Sequence, residues 1–225
     1  RAATGGGAMS YIIGTEIVNC TFSSNSAETG AALDEVRQAI ISGCTFARNA
    51  CESGGVVNIP DEEATIERCT FTENLTHALF VSGSPQVTDC VFLETKGSAV
   101  VYSGGSGFFE GCLFKNNRSE MHGGAFYGGT SHSLRFDNCM FVGNSAKYDG
   151  GAFYCFGPRV FLTNCILTRN DSQNGGGFFL WDHCDLTATN CTFARNKSFY
   201  GGSSICWDKG ARDNWVWVDN SILWD

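Results

Sequence analysis

Apolar and polar positions alternate along this chain in short bursts, and the bursts return at a nearly fixed interval. Each is built on the phrase Cys-x-apolar-x-x-Asn. The first copy reads Cys20-Thr21-Phe22-Ser23-Ser24-Asn25 and the last Cys191-Thr192-Phe193-Ala194-Arg195-Asn196. The recurring cysteines are Cys20, Cys44, Cys69, Cys90, Cys112, Cys139, Cys165 and Cys191, spaced by 24, 25, 21, 22, 27, 26 and 26 residues. Two residues after each stands Phe22, Phe46, Phe71, Phe92, Phe114, Phe141, Leu167 or Phe193, and the residue between them varies. Fixed apolar residues alternating with variable ones have the period of a β-strand, so Cys and Phe face inward.

Three residues before each Cys the chain is again apolar: Ile17, Ile41, Ile66, Val87, Phe109, Phe136, Leu162 and Ala188, with Val218 in a closing copy where Ser221 replaces Cys. The next position is mostly polar, as in Glu67, Thr88, Glu110 and Asp137. This marks a second strand, separated from the Cys strand by a corner. A third follows the Asn, after a small-residue corner such as Gly5-Gly6-Gly7, Gly54-Gly55, Gly123-Gly124, Gly150-Gly151 or Gly176-Gly177. Glycine permits the positive φ and close backbone approach of such corners. The expected inward pairs of this strand are Met9/Tyr11, Val57/Ile59, Leu79/Val81, Val100/Tyr102, Phe153/Cys155, Phe179/Trp181 and Ser204/Cys206.

Three short strands per repeat, with no helical periodicity between them, predict an all-β parallel solenoid of about nine coils. A period of this size makes each repeat one unit stacked on its neighbours. At a strand spacing of about 4.8 Å the rod is roughly 40–45 Å long. The Asn of each repeat (Asn25, Asn49, Asn74, Asn117, Asn144, Asn170 and Asn196, with Thr95 once in its place) is read as a corner ladder. Asn tolerates left-handed backbone, and stacked amides bond one another along the rod. The third and fourth coils are the shortest and lack a Gly-Gly pair before His77-Ala78-Leu79 and Gly97-Ser98-Ala99, so the cross-section is expected to narrow there.

The repeat occupies nearly all of residues 1–225, so the chain is read as one elongated domain. Its formal net charge is -8 with no basic run, which argues against a surface that tracks nucleic-acid phosphates. Twelve cysteines point to an oxidising, extracellular setting. No CxxC pair or Cys/His cluster suggests zinc, and no cofactor or metal is expected. The four histidines, His77, His122, His132 and His183, are scattered in sequence. No hydrophobic run is long enough to cross a membrane. Arg1-Ala2-Ala3-Thr4 forms no signal peptide, as expected of a mature chain or a fragment.

Phe-x-x-Asn recurs at Phe22, Phe46, Phe71, Phe114, Phe141 and Phe193, and Gly-Gly-Ala at Gly6, Gly123 and Gly150. In these motifs the chain resembles right-handed parallel β-helix proteins of the polymorphic membrane protein type. The resemblance implies a right-handed helix in a surface stalk, adhesin or secreted passenger. It says little about activity, because the motifs are structural.

The eight repeat cysteines are read as buried thiols rather than disulfides. Of the four others, Cys51, Cys155, Cys184 and Cys206, the second and last are expected at the same point of their coils, and Cys184 is favoured if any disulfide forms. Six N-x-Ser/Thr sequons occur: four are ladder asparagines, and Asn19 and Asn190, which face outward, are the possible glycan sites. Glu110 and Asp137 share a position in adjacent coils, near enough for paired carboxylate chemistry of a polysaccharide-degrading enzyme. Arg135 is nearby, but no motif of such enzymes accompanies the pair. The acidic insertion Asp61-Glu62-Glu63 lacks a spaced calcium-ligand pattern. The longest insertion, Asp208 to Trp215 with Asp213 and Asn214, is a candidate ligand loop. Val91, Leu113, Met140 and Ile166 form an outward apolar run through four coils, a candidate assembly face.

The expectation is therefore a non-catalytic, extracellular structural or adhesive scaffold. It is expected to meet other protein copies, or the rest of a longer solenoid, end to end or laterally. The alternative is a carbohydrate-binding or pectate-lyase-like β-helix.

Overall fold

The computed structural model describes residues 7–60, 63–129, 133–208, 210 and 214–225. Every regular element among them is a strand, and all named strand pairs are parallel. Three sheets of nine strands each run along the rod. Sheet A begins at Met9–Ile13 and ends at Ile205–Trp207; sheet B runs from Glu16–Val18 to Val216–Asp219; sheet C runs from Thr21–Ser23 to Ile222–Trp224. Each coil contributes one strand to each sheet, which bonds to its equivalent one coil on.

Equivalent residues face one another across every rung of sheet C. Phe22, Phe46, Phe71, Phe92, Phe114, Phe141, Leu167, Phe193 and Leu223 form one column. The first six rings stack with centroids 4.7–5.1 Å apart and planes within 9°. That spacing is the rung spacing itself, so backbone pairing and ring stacking are satisfied by one geometry. Sheet B adds Phe109 and Phe136, stacked on each other and edge-on to Phe126 of sheet A. Each buried Phe contributes about 1.5–3 kcal/mol by area, and the column continues through the core.

The corners carry their own columns. The residue before each ladder Asn, from Ser24 and Arg48 to Arg169 and Arg195, has φ near +55°. The left-handed turn therefore lies one residue earlier than expected, and the Asn acts through its side chain. Asn144 Oδ1 accepts from the backbone N–H of Asn117 at 3.1 Å and from its Nδ2 at 2.9 Å. Asn144 Nδ2 donates to Phe114 O at 2.9 Å. Within the ladder the amides thus tie an Asn to the Asn of the next coil and to the carbonyl of a Phe, or of Leu167, one coil back. Thr95 interrupts the chain: its N–H donates to Asn117 Oδ1, but its buried hydroxyl has no partner. A second left-handed column stands just before the cysteines, from Asn19 to Asn220.

At the Gly-Gly corner, Gly150 takes φ +70°, and Gly151 lies so close to the next coil that a Cβ would sit 2.3 Å from Gly176 O. Gly124 and Gly176 make the same approach to their own neighbours.

The inward residues of sheet A match expectation from Val57/Ile59 to Phe153/Cys155. Beyond them the register is corrected. Phe178 and Leu180, not Phe179 and Trp181, pair with Phe153 and Cys155 and are buried. In the last strand Ile205 and Trp207, not Ser204 and Cys206, hold those columns. Cys206 aligns with Phe179, so it does not share a column with Cys155. Three consecutive glycines, Gly175 to Gly177, make the start of this strand ambiguous in sequence. In the first coil Met9 aligns with Leu33, yet Tyr11 points out at 79% exposure and Ile12 is buried instead. Tyr11 has φ 57°, so its left-handed kink breaks the alternation. Gly5 and Gly6 lie outside the described residues.

A short fourth strand per coil also appears. Arg118–Ser119, Ser145–Ala146, Asp171–Ser172 and Lys197–Ser198 form one small sheet, and Ser26–Ala27 pairs with Ala50–Cys51. The two short coils between these groups contribute no strand to either small sheet.

Two predictions follow from the corners. Gly151→Ala is expected to lose about 3 kcal/mol by overpacking against backbone. Thr95→Asn is expected to gain about 1 kcal/mol by completing the amide chain. Urea unfolding midpoints at unchanged slope will read both.

Candidate functional site

The core columns are spent on packing, so chemistry is available only where side chains alternate outward. On sheet C, Val91, Leu113, Met140 and Ile166 occupy one column on consecutive rungs. Met140 and Ile166 are 42% and 37% exposed. The neighbouring outward row carries Leu93, Lys115 and Val142 on successive rungs, with the exposed Lys115 between the two apolar residues. Earlier rungs carry Thr21, Thr45 and Thr70 at this position, and Thr192 follows Ile166.

On sheet A the column that alternates with the inward ones is mostly aromatic, with Phe80, Val101, Tyr127, Tyr154 and Phe179 in register, and Val101, Tyr154 and Phe179 are buried. Tyr127, Tyr154 and Phe179 stack at 5.4 and 5.6 Å. Beside Ser119, at the end of the small corner sheet, lies a cavity of ≈ 370 Å³. His77, Lys96, Val101, Met121, His122 and Tyr127 are among its lining residues. His77 Nδ1 lies 3.1 Å from Ser98 O and so carries the hydrogen. The His122 ring packs 4.5 Å from Tyr154. Its Nδ1 is 3.2 Å from Asp149 Oδ2, off the line that a hydrogen bond needs. Asp149 is held in turn by Asn174 Nδ2 at 2.8 Å. Burial pushes both imidazoles below their ordinary pKa; for His122 it outweighs Asp149, which acts in the opposite sense. Both imidazoles are therefore held toward the neutral form, and only His122 stands beside a carboxylate, that of Asp149.

Sequence reading left these histidines scattered. One signal was present: His77 stands in the rung position of Gly55, where a corner glycine otherwise sits. His132 lies outside the described residues.

On sheet B, Glu110 and Asp137 are neighbours in one outward column, as expected. Arg135 does not serve them; its guanidinium lies 5.7 Å over the Phe161 ring. The column continues with Thr88 on one side and Thr163 on the other. Among the described residues no group of three His, Cys, Asp or Glu converges as a metal site. Asp61, Glu62 and Asp213 lie outside the described residues. In the long insertion, Asn214 Oδ1 accepts from Cys184 N at 2.9 Å, and Trp215 N donates to Asp185 Oδ1 at 3.0 Å. The Trp215 ring is 74% exposed.

All twelve cysteines are unpaired. Cys44 to Cys191 of the repeat column are buried, and only Cys20, on the first rung, is exposed. The thiols donate to carbonyls, as Cys90 Sγ does to Thr88 O at 3.2 Å. Burial pushes the thiols of Cys44, Cys51 and Cys155 up, away from the reactive thiolate. Cys184 is buried against Cys155. Asn74, Asn117, Asn170 and Asn196 are buried ladder members. Asn19 and Asn190 are exposed on the second corner column, and the Asn190 amide oxygen accepts from Asn220.

The family model of the right handed beta helix region matches residues 3–141, more than half of the chain. The chain belongs to this family. No curated protein matches it. The family model accounts for the β-helix architecture and names no activity.

Stability of this β-helix should respond to the two histidines. Their folded pKa values are depressed, so the unfolded state binds protons first as pH falls below about 6.5. Their contribution to stability should be constant above that value and decline below it. His77→Gln is expected to flatten the decline in urea unfolding recorded at several pH values.

Proposed function

We propose that this β-helix is a non-catalytic structural and adhesive rod of the cell surface, and that it associates laterally with a second copy of itself. The observation that carries the reading is the outward column Val91, Leu113, Met140 and Ile166. It is continuous over four rungs and bordered by threonine at both ends, and the row beside it holds Leu93 and Val142 with Lys115 between them. An apolar run of this extent on an outward face fits a protein contact. Equal rung spacing in two copies lets such columns mesh along their length. The Phe-x-x-Asn and Gly-Gly-Ala repeats and the cysteine content support an extracellular setting. The polysaccharide-degrading alternative would rest on Glu110 and Asp137. Their nearest basic candidate, Arg135, is engaged with Phe161.

Sedimentation velocity over a concentration series tests the reading. The wild-type chain is expected to associate reversibly. Met140→Glu combined with Ile166→Glu is expected to leave monomers whose melting temperature shifts by no more than about 2 °C. A wild-type chain that stays monomeric throughout, or a double variant that associates equally well, would overturn it.

A further inference from the structure

We infer that the cavity between His77 and Tyr127 binds a small aromatic carboxylate whose ring carries an N–H or O–H donor. This goes beyond the scaffold reading and does not depend on it. The cavity lies at the fourth, fifth and sixth of the nine strands of sheet A, so further coils flank it on both sides. Its ≈ 370 Å³ is the size of a small-molecule site.

Each part of that ligand has a counterpart on the walls. The apolar part is met by Tyr127, Val101 and Met121. Tyr127 stacks on Tyr154 with ring planes 3° apart, so one of its faces is taken and the other is turned along the rod toward Val101. Val101 is a short residue in a column that is aromatic on both adjoining rungs, at Phe80 and Tyr127. Met121 is 60% exposed and adds a flexible, polarisable edge suited to a flat ring.

His77 provides the acceptor. Its Nδ1–H is taken by Ser98 O at 3.1 Å, and burial holds the ring toward its neutral form. Nε2 is then left with a lone pair and no hydrogen, which suits a ring N–H or O–H of the ligand. Lys96 provides the charge. Lys96 and Arg118 stand on adjoining coils, and Arg118 Nε is already 3.6 Å from Glu120 Oε1. Asp149 is turned to His122 and Asn174 and does not line the cavity. The exposed Lys96 ammonium therefore has no anion of its own among the described residues, in a chain whose formal net charge is -8. A carboxylate would answer that charge, and an amine would be repelled by it.

The test is isothermal titration calorimetry of the intact chain with indole-3-acetate and 4-hydroxyphenylacetate, each to about 10 mM. Saturable binding of at least one of the two acids is expected. The matching amines, which exchange the carboxylate for an ammonium, should not bind. The N-methyl or O-methyl derivative of the acid that binds lacks the ring donor and should bind at least about fivefold more weakly. Lys96→Gln, at an exposed side chain, should weaken the acid by at least about fivefold. Val101→Phe, which fills the space beside the Tyr127 ring, should abolish binding. Circular dichroism melts establish that each variant is folded. No response from either acid, equal binding of an amine or of the methylated acid, or undiminished binding by Lys96→Gln or by folded Val101→Phe would each overturn the assignment.

Discussion

Everything in this molecule depends on parallel backbone pairing between equivalent residues of successive coils. A parallel ladder has one rung spacing, and it imposes that spacing on whatever side chains it carries. Stacked phenylalanine is comfortable at 4.7–5.1 Å, and so are an amide bonded to the next amide and a thiol over a carbonyl. Residues that suit this distance can repeat indefinitely, and residues that do not are confined to the outside. The repeat signature is thus a list of side chains compatible with one distance.

The same constraint explains the corners. A coil must turn without disturbing the ladder, so left-handed residues recur at fixed places, before the Cys and before the Asn. Asn is fixed beside the turn because its side chain reaches two carbonyl or amide systems that the turn leaves unpaired, one coil forward and one coil back. Thr95 can make neither amide bond, and its orphaned hydroxyl marks the weakest point of the ladder. It falls in a short coil that also lacks the Gly-Gly corner and the extra corner strand. Three departures from the repeat coincide where the cavity of His77 and His122 opens.

The architecture was legible in sequence because columns are visible as periodicity. Inward Cys, Phe and Ile positions, the buried sequons and the outward apolar run all follow from counting residues from each Cys. Two things did not. The register of sheet A after Gly175 was misread because three glycines offer no side chain to fix which is the corner. The left-handed residue beside each Asn was misplaced because Ser24, Arg48, Glu73 and Arg169 share no chemistry that marks a turn. Sites were harder still. His77 and His122 are 45 residues apart in sequence and line one cavity only because the coils stack.

The cavity of His77 and His122 bears on how a solenoid acquires a site at all. A continuous column presents ring edges to solvent and buries ring faces on one another, as Tyr127, Tyr154 and Phe179 do. Such a column has no surface with which to hold a flat ligand, however aromatic it is. Where a coil departs from the repeat, as beside Thr95, side chains that no neighbour covers line an opening whose position is set by the backbone ladder. An opening fixed in this way needs little ordering to receive an occupant, which lowers the entropic cost of binding. On a scaffold of repeats, function is therefore to be sought where a column is interrupted.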